Sequence, residues 1–511
     1  MTTPTNNKNP TDEVKWNVLD RAIEVLFPKR AYERLRWRMG ISGYDASKLG
    51  RGSAGWAPVN MQGEMINRQA RKILRARARD MERNNDVVNG ILLAYKRNVV
   101  GKGFNLQALT DSDDINNAIE SLWREWNKAR NCDITGQQTL REILNMVMRR
   151  QVIDGEIAII KTYDSNKKIP FQLQLREADD LDSLGLLNNQ TNGNVICEGI
   201  EMDSSNRPIA YYFTETDANG MIKNQATRIE EKRVIYLWQR ARPSEYRGIT
   251  MLAPLIERLH NLDDYHKAVN FMQKILASIC VFIKQALPDG ISGALGRAKS
   301  IIPSEDPNDR QQKVKAGQIM YLKPGEEVST LIPSGQAAEA AGYTTTQQRM
   351  SAAAIGLSLE ATARDVSQVN YSSARQNLLE DTKTYNDWQQ WLIDHLLDEI
   401  YTEFLISAYL AGQLPPIPDF WQNKEKYFKH RFIGQGMSWI DPVKESVANK
   451  TALETGQATL EEICAKAGKD WKEVLQQRAR EKAYAESLGL FAEGSNTNAN
   501  KGTNGTSPQT E

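Results

Sequence analysis

Residues 371–410 read YSSARQNLLEDTKTYNDWQQWLIDHLLDEIYTEFLISAYL, and within them Leu378, Tyr385, Trp388, Leu392 and Leu396 are spaced by seven, three, four and four positions. Those intervals return to one side of a 3.6-residue helix, so the large side chains form a single apolar stripe. Ser372 or Ser373 can cap the start, and Gly412 followed by Pro415 and Pro416 ends the run. Unbroken, such a helix is roughly 60 Å long at about 1.5 Å per residue. Few single-domain enzymes need an element of that length.

Helical spacing also appears earlier. Residues 20–39 and 64–101 carry it, the second containing RQARKILRARARDMERNN with Ile73, Ala76 and Met81 as inward candidates. That helix is strongly basic, through Arg68, Arg71, Lys72, Arg75, Arg77, Arg79 and Arg83. Because Arg77 and Arg79 cannot share a narrow face, the charge wraps the helix, which suits a contact between subunits better than a DNA groove. Arg71, Arg75 and Arg79 are the residues expected there. From 155 to 239 the period changes to two, as in FQLQL (171–175) and VIYLW (234–238), with turn signals DSSNRP and DANG between runs. This predicts a mainly antiparallel β region. Helical spacing returns over 247–283 through Leu252, Leu255, Ile256, Leu259, Leu262 and Tyr265, followed by a Pro- and Gly-punctuated stretch to about 334 that predicts short strands and loops. Near the end, Asp441 before Pro442, Thr459 with Glu462, and Asp470 with Glu473 each open a helix, and Gly456, Gly468 and Gly489 close them. The fold class is therefore α+β, mainly α, with a small helical bundle over 441–489.

The chain has 511 residues, enough for more than one packed unit. Its 65 Lys and Arg nearly balance 64 Asp and Glu, so the whole molecule has no strong field to draw in nucleic acid or an anionic membrane. Cys132, Cys197, Cys280 and Cys464 lie far apart without C-x-x-C spacing, which argues against a zinc ribbon or a disulfide framework and favours a reducing cytoplasm. The first residues, MTTPTNNKNPTDEVKWNVLD, do not resemble a signal peptide, and both ends, rich in Asn, Thr, Gly and Ser, are expected to be disordered. The longest apolar run, ILASICVFI at 275–283, is nine residues, against roughly 20 for a bilayer span.

Motifs for chemistry are missing. No G-x-x-x-x-G-K-[ST] occurs, and the G-x-G at Gly101 and Gly103 follows a helix instead of opening one, which predicts a turn. His260 and His266 lie on different faces of a helix, while His260 and Asp264 form an ordinary i, i+4 pair. The acidic doublets Asp113–Asp114, Asp179–Asp180 and Asp263–Asp264 invite a two-metal nuclease reading, but on a strand Asp179 and Asp180 would point to opposite faces. No catalytic residue, metal site or cofactor site is expected.

Several strings, in order, resemble the lambda-like phage portal family. They are RAYERLRWRM (30–39), LRARARDMERNN (74–85) leading into NVVGKGFNLQA (98–108), YRGITMLAPLIERLHNLDDY (246–265), LKPGEE (322–327), VNYSSARQNLLED (369–381) and WIDPVKE (439–445). NYSSAR ahead of a Trp-bearing long helix and then W-I-D-P-x-K-E is hard to obtain by chance; LSLEATARDVSQ (357–368) departs from the family's shorter form.

The resemblance implies a portal fold with wing, stem, clip and crown in a dodecameric ring. It places a disordered N-terminus at 1–13, the wing at 14–248, stem helices at 249–283 and 343–355, and the clip at 284–335. A tunnel loop at 356–370 follows, then the long helix at 371–412, a return to the wing at 413–440, the crown at 441–490 and a disordered tail at 491–511. Arg364, Gln368 and Asn370 become candidates for touching DNA in the channel. The implied partners are double-stranded DNA, the terminase large subunit, major capsid and scaffold proteins and head–tail joining proteins, with no membrane. The implied place is the portal vertex of the virion, and the host cytoplasm during assembly. The rival expectations are a metal-dependent DNA-processing enzyme and a head-completion protein without a channel.

Overall fold

The computed structural model describes residues 60–181, 194–216, 222–277, 281–285, 326–330, 340–367, 369–436 and 442–488. The chain divides into Met1–Ile66, of which only residues 60–66 are described, and a large unit, Asn67–Glu511. Both ends expected to be disordered, most of the expected clip, Gln368, Asp441 and Gly489 lie outside the described residues.

The long helix is present. It runs as α8 (Tyr371–Leu392), a π-helical turn (Ile393–Leu397) and α9 (Asp398–Leu410), with α7 (Leu359–Ala363) just before it. Tyr385, Trp388, Leu392 and Leu396 of the stripe are buried. The wider π turn shifts the register by one residue, and Leu396 and Leu397 are then both fully buried. Asn370 caps the start, its side-chain oxygen accepting from the Ser373 N–H at 2.9 Å, two or three residues before the expected serines. Gly412 ends the run with φ +65°.

Around α8 and α9 pack α2 (Asp86–Tyr95, continued by a π turn to Val100), α3 (Asp113–Trp126) and α4 (Leu140–Ile153). Trp126 stacks on Phe171 with centroids 5.4 Å apart and donates its indole N–H to the Phe171 carbonyl at 2.7 Å. Trp123 meets Phe404 edge-on at 5.0 Å. Aromatic rings thus fill the space where helices and sheet meet; the buried indole proton of Trp126 is satisfied, whereas that of Trp123 has no acceptor among the described residues.

The period-two region is antiparallel as expected. One sheet has the order β3 (Phe171–Arg176), β2 (Glu156–Tyr163), β8 (Val234–Trp238), and a second runs β4 (Val195–Cys197), β5 (Ile200–Met202), β6 (Pro208–Thr216), β7 (Ile222–Glu230). The second shares a small core with the first, in which Ile200, Met202, Tyr211 and Phe213 join Ala158, Ile160 and Val234. A pairing not foreseen joins β1 (Asn105–Ala108) to β11 (His430–Ile433).

The helical spacing expected over 247–283 covers α5 (Ile256–Ala277), preceded by turns. Val281, Phe282 and Ile283 instead enter β9 (Val281–Gln285), which pairs with β10 (Glu326–Thr330). A β-branched and aromatic run with a partner strand favours extended backbone over a further helical turn. Helix α6 (Ala340–Ala354) lies beside α5, with His266 Nε2 and Thr344 Oγ1 2.9 Å apart. The C-terminal punctuation reads correctly at Thr459–Glu462, a reciprocal capping box opening α11 (Leu460–Lys466). Asp470 caps α12 (Trp471–Ser487) through the Lys472 N–H, while α10 spans Pro442–Glu454. The expected bundle is loose, because α12 contributes no buried residue and Val443 and Val447 of α10 stay exposed.

Candidate functional site

The basic helix is α1 (Gly63–Asn84), and its inward face differs from the one expected. Ile73 and Ala76 are exposed, whereas Arg71, Arg75 and Ala78 are buried, as is Met81. The reason lies in the partners. Arg75 pairs with Glu156, which is wholly buried, and with Asp179 at 2.9 Å. Arg71 Nε donates to the Gly248 carbonyl at 3.2 Å. Arg79 grips Asp154 with two hydrogen bonds, at 2.7 and 3.0 Å, and also pairs with Asp179. Guanidinium groups that find carboxylates inside the chain go inward, and the aliphatic side chains between them go out. Arg71 and Arg75 are thus buried and engaged within the subunit, while Arg79 remains partly exposed.

Glu156 is the centre of this node. Arg247, 1% exposed, reaches its two oxygens at 3.1 and 3.2 Å, the Gly248 N–H donates at 3.0 Å and the Tyr236 hydroxyl donates as well. Arg247 also donates to the carbonyls of Ala178 at 2.8 Å and Glu198 at 3.1 Å. Burial alone would raise the Glu156 carboxyl, but the charge and hydrogen bonds of Arg247, with Arg75 and Arg71, outweigh it and hold the carboxyl below its usual range. The node ties α1, β2 and β8 to the segment leading into α5. Backbones close in beside it: a Cβ on Gly248 would lie 2.1 Å from the Gly155 carbonyl oxygen, and one on Gly155 2.2 Å from the Ile249 carbonyl, so no other residue fits either place without displacement.

The second cluster surrounds residues 356–370. Ser358 caps α7, accepting from the Ala361 N–H at 3.1 Å, and Arg364 follows with φ +58°, a left-handed conformation that costs a residue with a Cβ about 1 kcal/mol or more. Arg364, Asp365, Val366 and Ser367 are all exposed. Of the candidates for DNA contact, Arg364 presents an exposed side chain, Asn370 spends its oxygen on the α8 cap, and Gln368 lies outside the described residues.

Of the acidic doublets, Asp113, Asp179, Asp180, Asp263 and Asp264 have partners. Asp179 and Asp180 lie in a short 3-10 turn, not on a strand. Asp179 is held by Arg75 and Arg79 and Asp180 by Arg176 at 3.0 Å. Asp263 accepts from the Asn85 amide at 2.9 Å, and Asp113 pairs with Lys472 at 3.2 Å. Among the described residues no group of three or more His, Cys, Asp and Glu side chains is placed to hold a metal ion. His260 and Asp264 form an exposed pair at 3.5 Å. Gly101 and Gly103 form a turn with φ +51° and +97° after the π turn, as read from their context. Among the described residues no helix is long and apolar enough to cross a membrane.

Comparison with known proteins adds what side-chain geometry does not. The profile of the family described as "Phage portal protein, lambda family" matches residues 49–389. The "Probable portal protein" of Halomonas phage phiHAP-1 is 25% identical over 437 residues, covering 82% of this chain and 81% of its own. "Portal protein B" of Escherichia phage lambda is 21% identical over 453 residues, covering 81% and 84%. Among solved structures, the neck of a native gene transfer agent particle is similar at TM-score 0.41 and 13% identity, covering 74% of this chain and 92% of that one. An HK97-family portal protein from Corynebacterium diphtheriae is similar at TM-score 0.30 and 9% identity, covering 56% and 80%. With a family match over two thirds of its length, the chain belongs to the lambda family of phage portal proteins, structural components of the virion and not enzymes.

Proposed function

We propose that copies of this chain close head to tail into a dodecameric ring at one capsid vertex, through which double-stranded DNA enters during packaging and leaves during ejection. The observation that carries the reading is the family match over residues 49–389. In this reading 14–248 is the wing, 249–283 and 343–355 the stem, 284–335 the clip, 356–370 the channel loop, 371–412 the long helix behind it, 413–440 the return and 441–490 the crown. The exposed run at Arg364 and the polar Gln368 and Asn370 meet the DNA backbone in passing. Near-neutral net charge supports this, since each fixed phosphate contact adds salt-dependent affinity that would slow transit. Force comes from a separate terminase ATPase, whose large subunit docks on the clip and is later replaced by head–tail joining proteins; capsid and scaffold proteins surround the wing. Assembly takes place in the host cytoplasm. The test is to omit this chain from otherwise complete particles. Heads without packaged DNA are expected, and unimpaired packaging would favour a head-completion protein without a channel.

A further inference from the structure

The exposed run from Arg364 to Ser367 can be no better placed than the posts it hangs from. One post is the capped start of α8 at Asn370. The other is α7, and four separate contacts hold it and the turn before it. The Tyr95 hydroxyl donates to the Ile355 carbonyl at 2.9 Å, Thr384 Oγ1 donates to the Gly356 carbonyl at 2.7 Å, and the Asn377 amide donates to Glu360 at 3.1 Å. The fourth is Asp381, 5% exposed on α8, whose two carboxylate oxygens accept from the Ser358 N–H at 2.7 Å and the Ser358 hydroxyl at 2.6 Å. The same hydroxyl oxygen accepts from the Ala361 N–H, so Asp381 orients the group that caps α7. On the opposite side α2 presses close: a Cβ on Gly90 would lie 2.3 Å from the Thr362 carbonyl oxygen.

We infer that Asp381 is the positioning residue of the channel loop: by holding both donors of Ser358 it fixes α7, and through α7 the direction in which Arg364 leaves it. This rests on the reading of 356–370 as the segment that faces DNA. Asp381 touches no DNA itself. It acts through a pair of hydrogen bonds and not through charge, and an asparagine there would keep the pair, its oxygen accepting from the N–H and its amide donating to the hydroxyl.

The test uses the full-length chain, assembled into heads, with Asp381→Ala, Asp381→Asn and, for comparison, Arg364→Ala. Amide hydrogen exchange is read over 355–363 against the buried helix at 396–405, and packaged genome is read as nuclease-protected DNA per head. Asp381→Ala should raise exchange over 355–363 roughly tenfold, leave 396–405 unchanged and lower the protected DNA, while Asp381→Asn stays close to the parent in both. Unchanged exchange in Asp381→Ala, or an Asp381→Asn as damaging as the alanine, would overturn the inference. If Asp381→Ala loosens 355–363 without affecting packaging while Arg364→Ala impairs it, the inference fails and the channel reading stands. If neither variant alters packaging, the channel reading of this loop fails and takes the inference with it.

Discussion

Glu156→Gln changes one side-chain atom at the buried centre of the node and removes the carboxylate that Arg75 and Arg247 share, leaving the half-exposed Asp179 as a partner of Arg75. Arg75 and Arg247, both buried, would keep their charges and lose the compensating carboxylate, while Tyr236 and the Gly248 N–H would face a weaker acceptor. Breaking one side of a buried ion pair costs about 3–5 kcal/mol, against about 0–1 kcal/mol for an exposed pair such as Lys482–Glu486 at 3.8 Å. Urea unfolding of dispersed subunits, followed by tryptophan fluorescence, would report the loss, since Trp123 and Trp126 are buried in the same unit. The midpoint should fall sharply with an unchanged slope, and Lys482→Ala should leave it nearly where it was. The pH dependence gives a second reading. The Glu156 carboxyl lies below its ordinary value in the folded chain, so its stabilisation is present above the unfolded value and is lost as pH falls through the lower folded value. That part of the acid-side loss should vanish in Glu156→Gln. A variant within about 1 kcal/mol of the parent, with the same acid profile, would refute the view that this node holds α1 against the sheet.

Other substitutions test neighbouring steps. Phe404→Ala should cost about 3–5 kcal/mol in the same assay, because the ring is fully buried against Trp123 and Trp126. Arg364→Gly should be more stable than Arg364→Ala by about 1 kcal/mol, since both lose the guanidinium but only glycine adopts φ +58° freely; equal stabilities would deny the strain. The Asp381 carboxyl is pushed up, mainly by burial, so its contribution has the opposite sign to that of Glu156: stability rises as pH falls from above the folded value to the unfolded one. Asp381→Asn should flatten that rise in a pH series of unfolding midpoints.

Much of the fold is legible in local spacing. The stripe from Tyr385 to Leu396, the antiparallel strands between Glu156 and Trp238 and the capping box at Thr459 and Glu462 each depend on residues a few positions apart. What stayed hidden depends on distant partners. Arg71 and Arg75 turn inward because Gly248 and Glu156 wait for them, and no periodicity within α1 reveals a carboxylate 81 residues away. The β1–β11 pairing joins Asn105 to Ile433 and was invisible for the same reason. The π turn at Ile393–Leu397 leaves no clear mark in composition. For the loop, the candidates Arg364 and Asn370 could be named from the string before the long helix, but Asp381 and Tyr95 could not. Their role appears only when α2 and α8 are seen to close on residues 355–358.

The most direct measurement is a class-averaged electron-microscope view, down the axis, of the assemblies this chain forms when expressed with its capsid and scaffold proteins. The account predicts closed rings of identical subunits with a central opening wide enough for a DNA duplex. Assemblies in which copies of the chain meet without any aperture between them would contradict it.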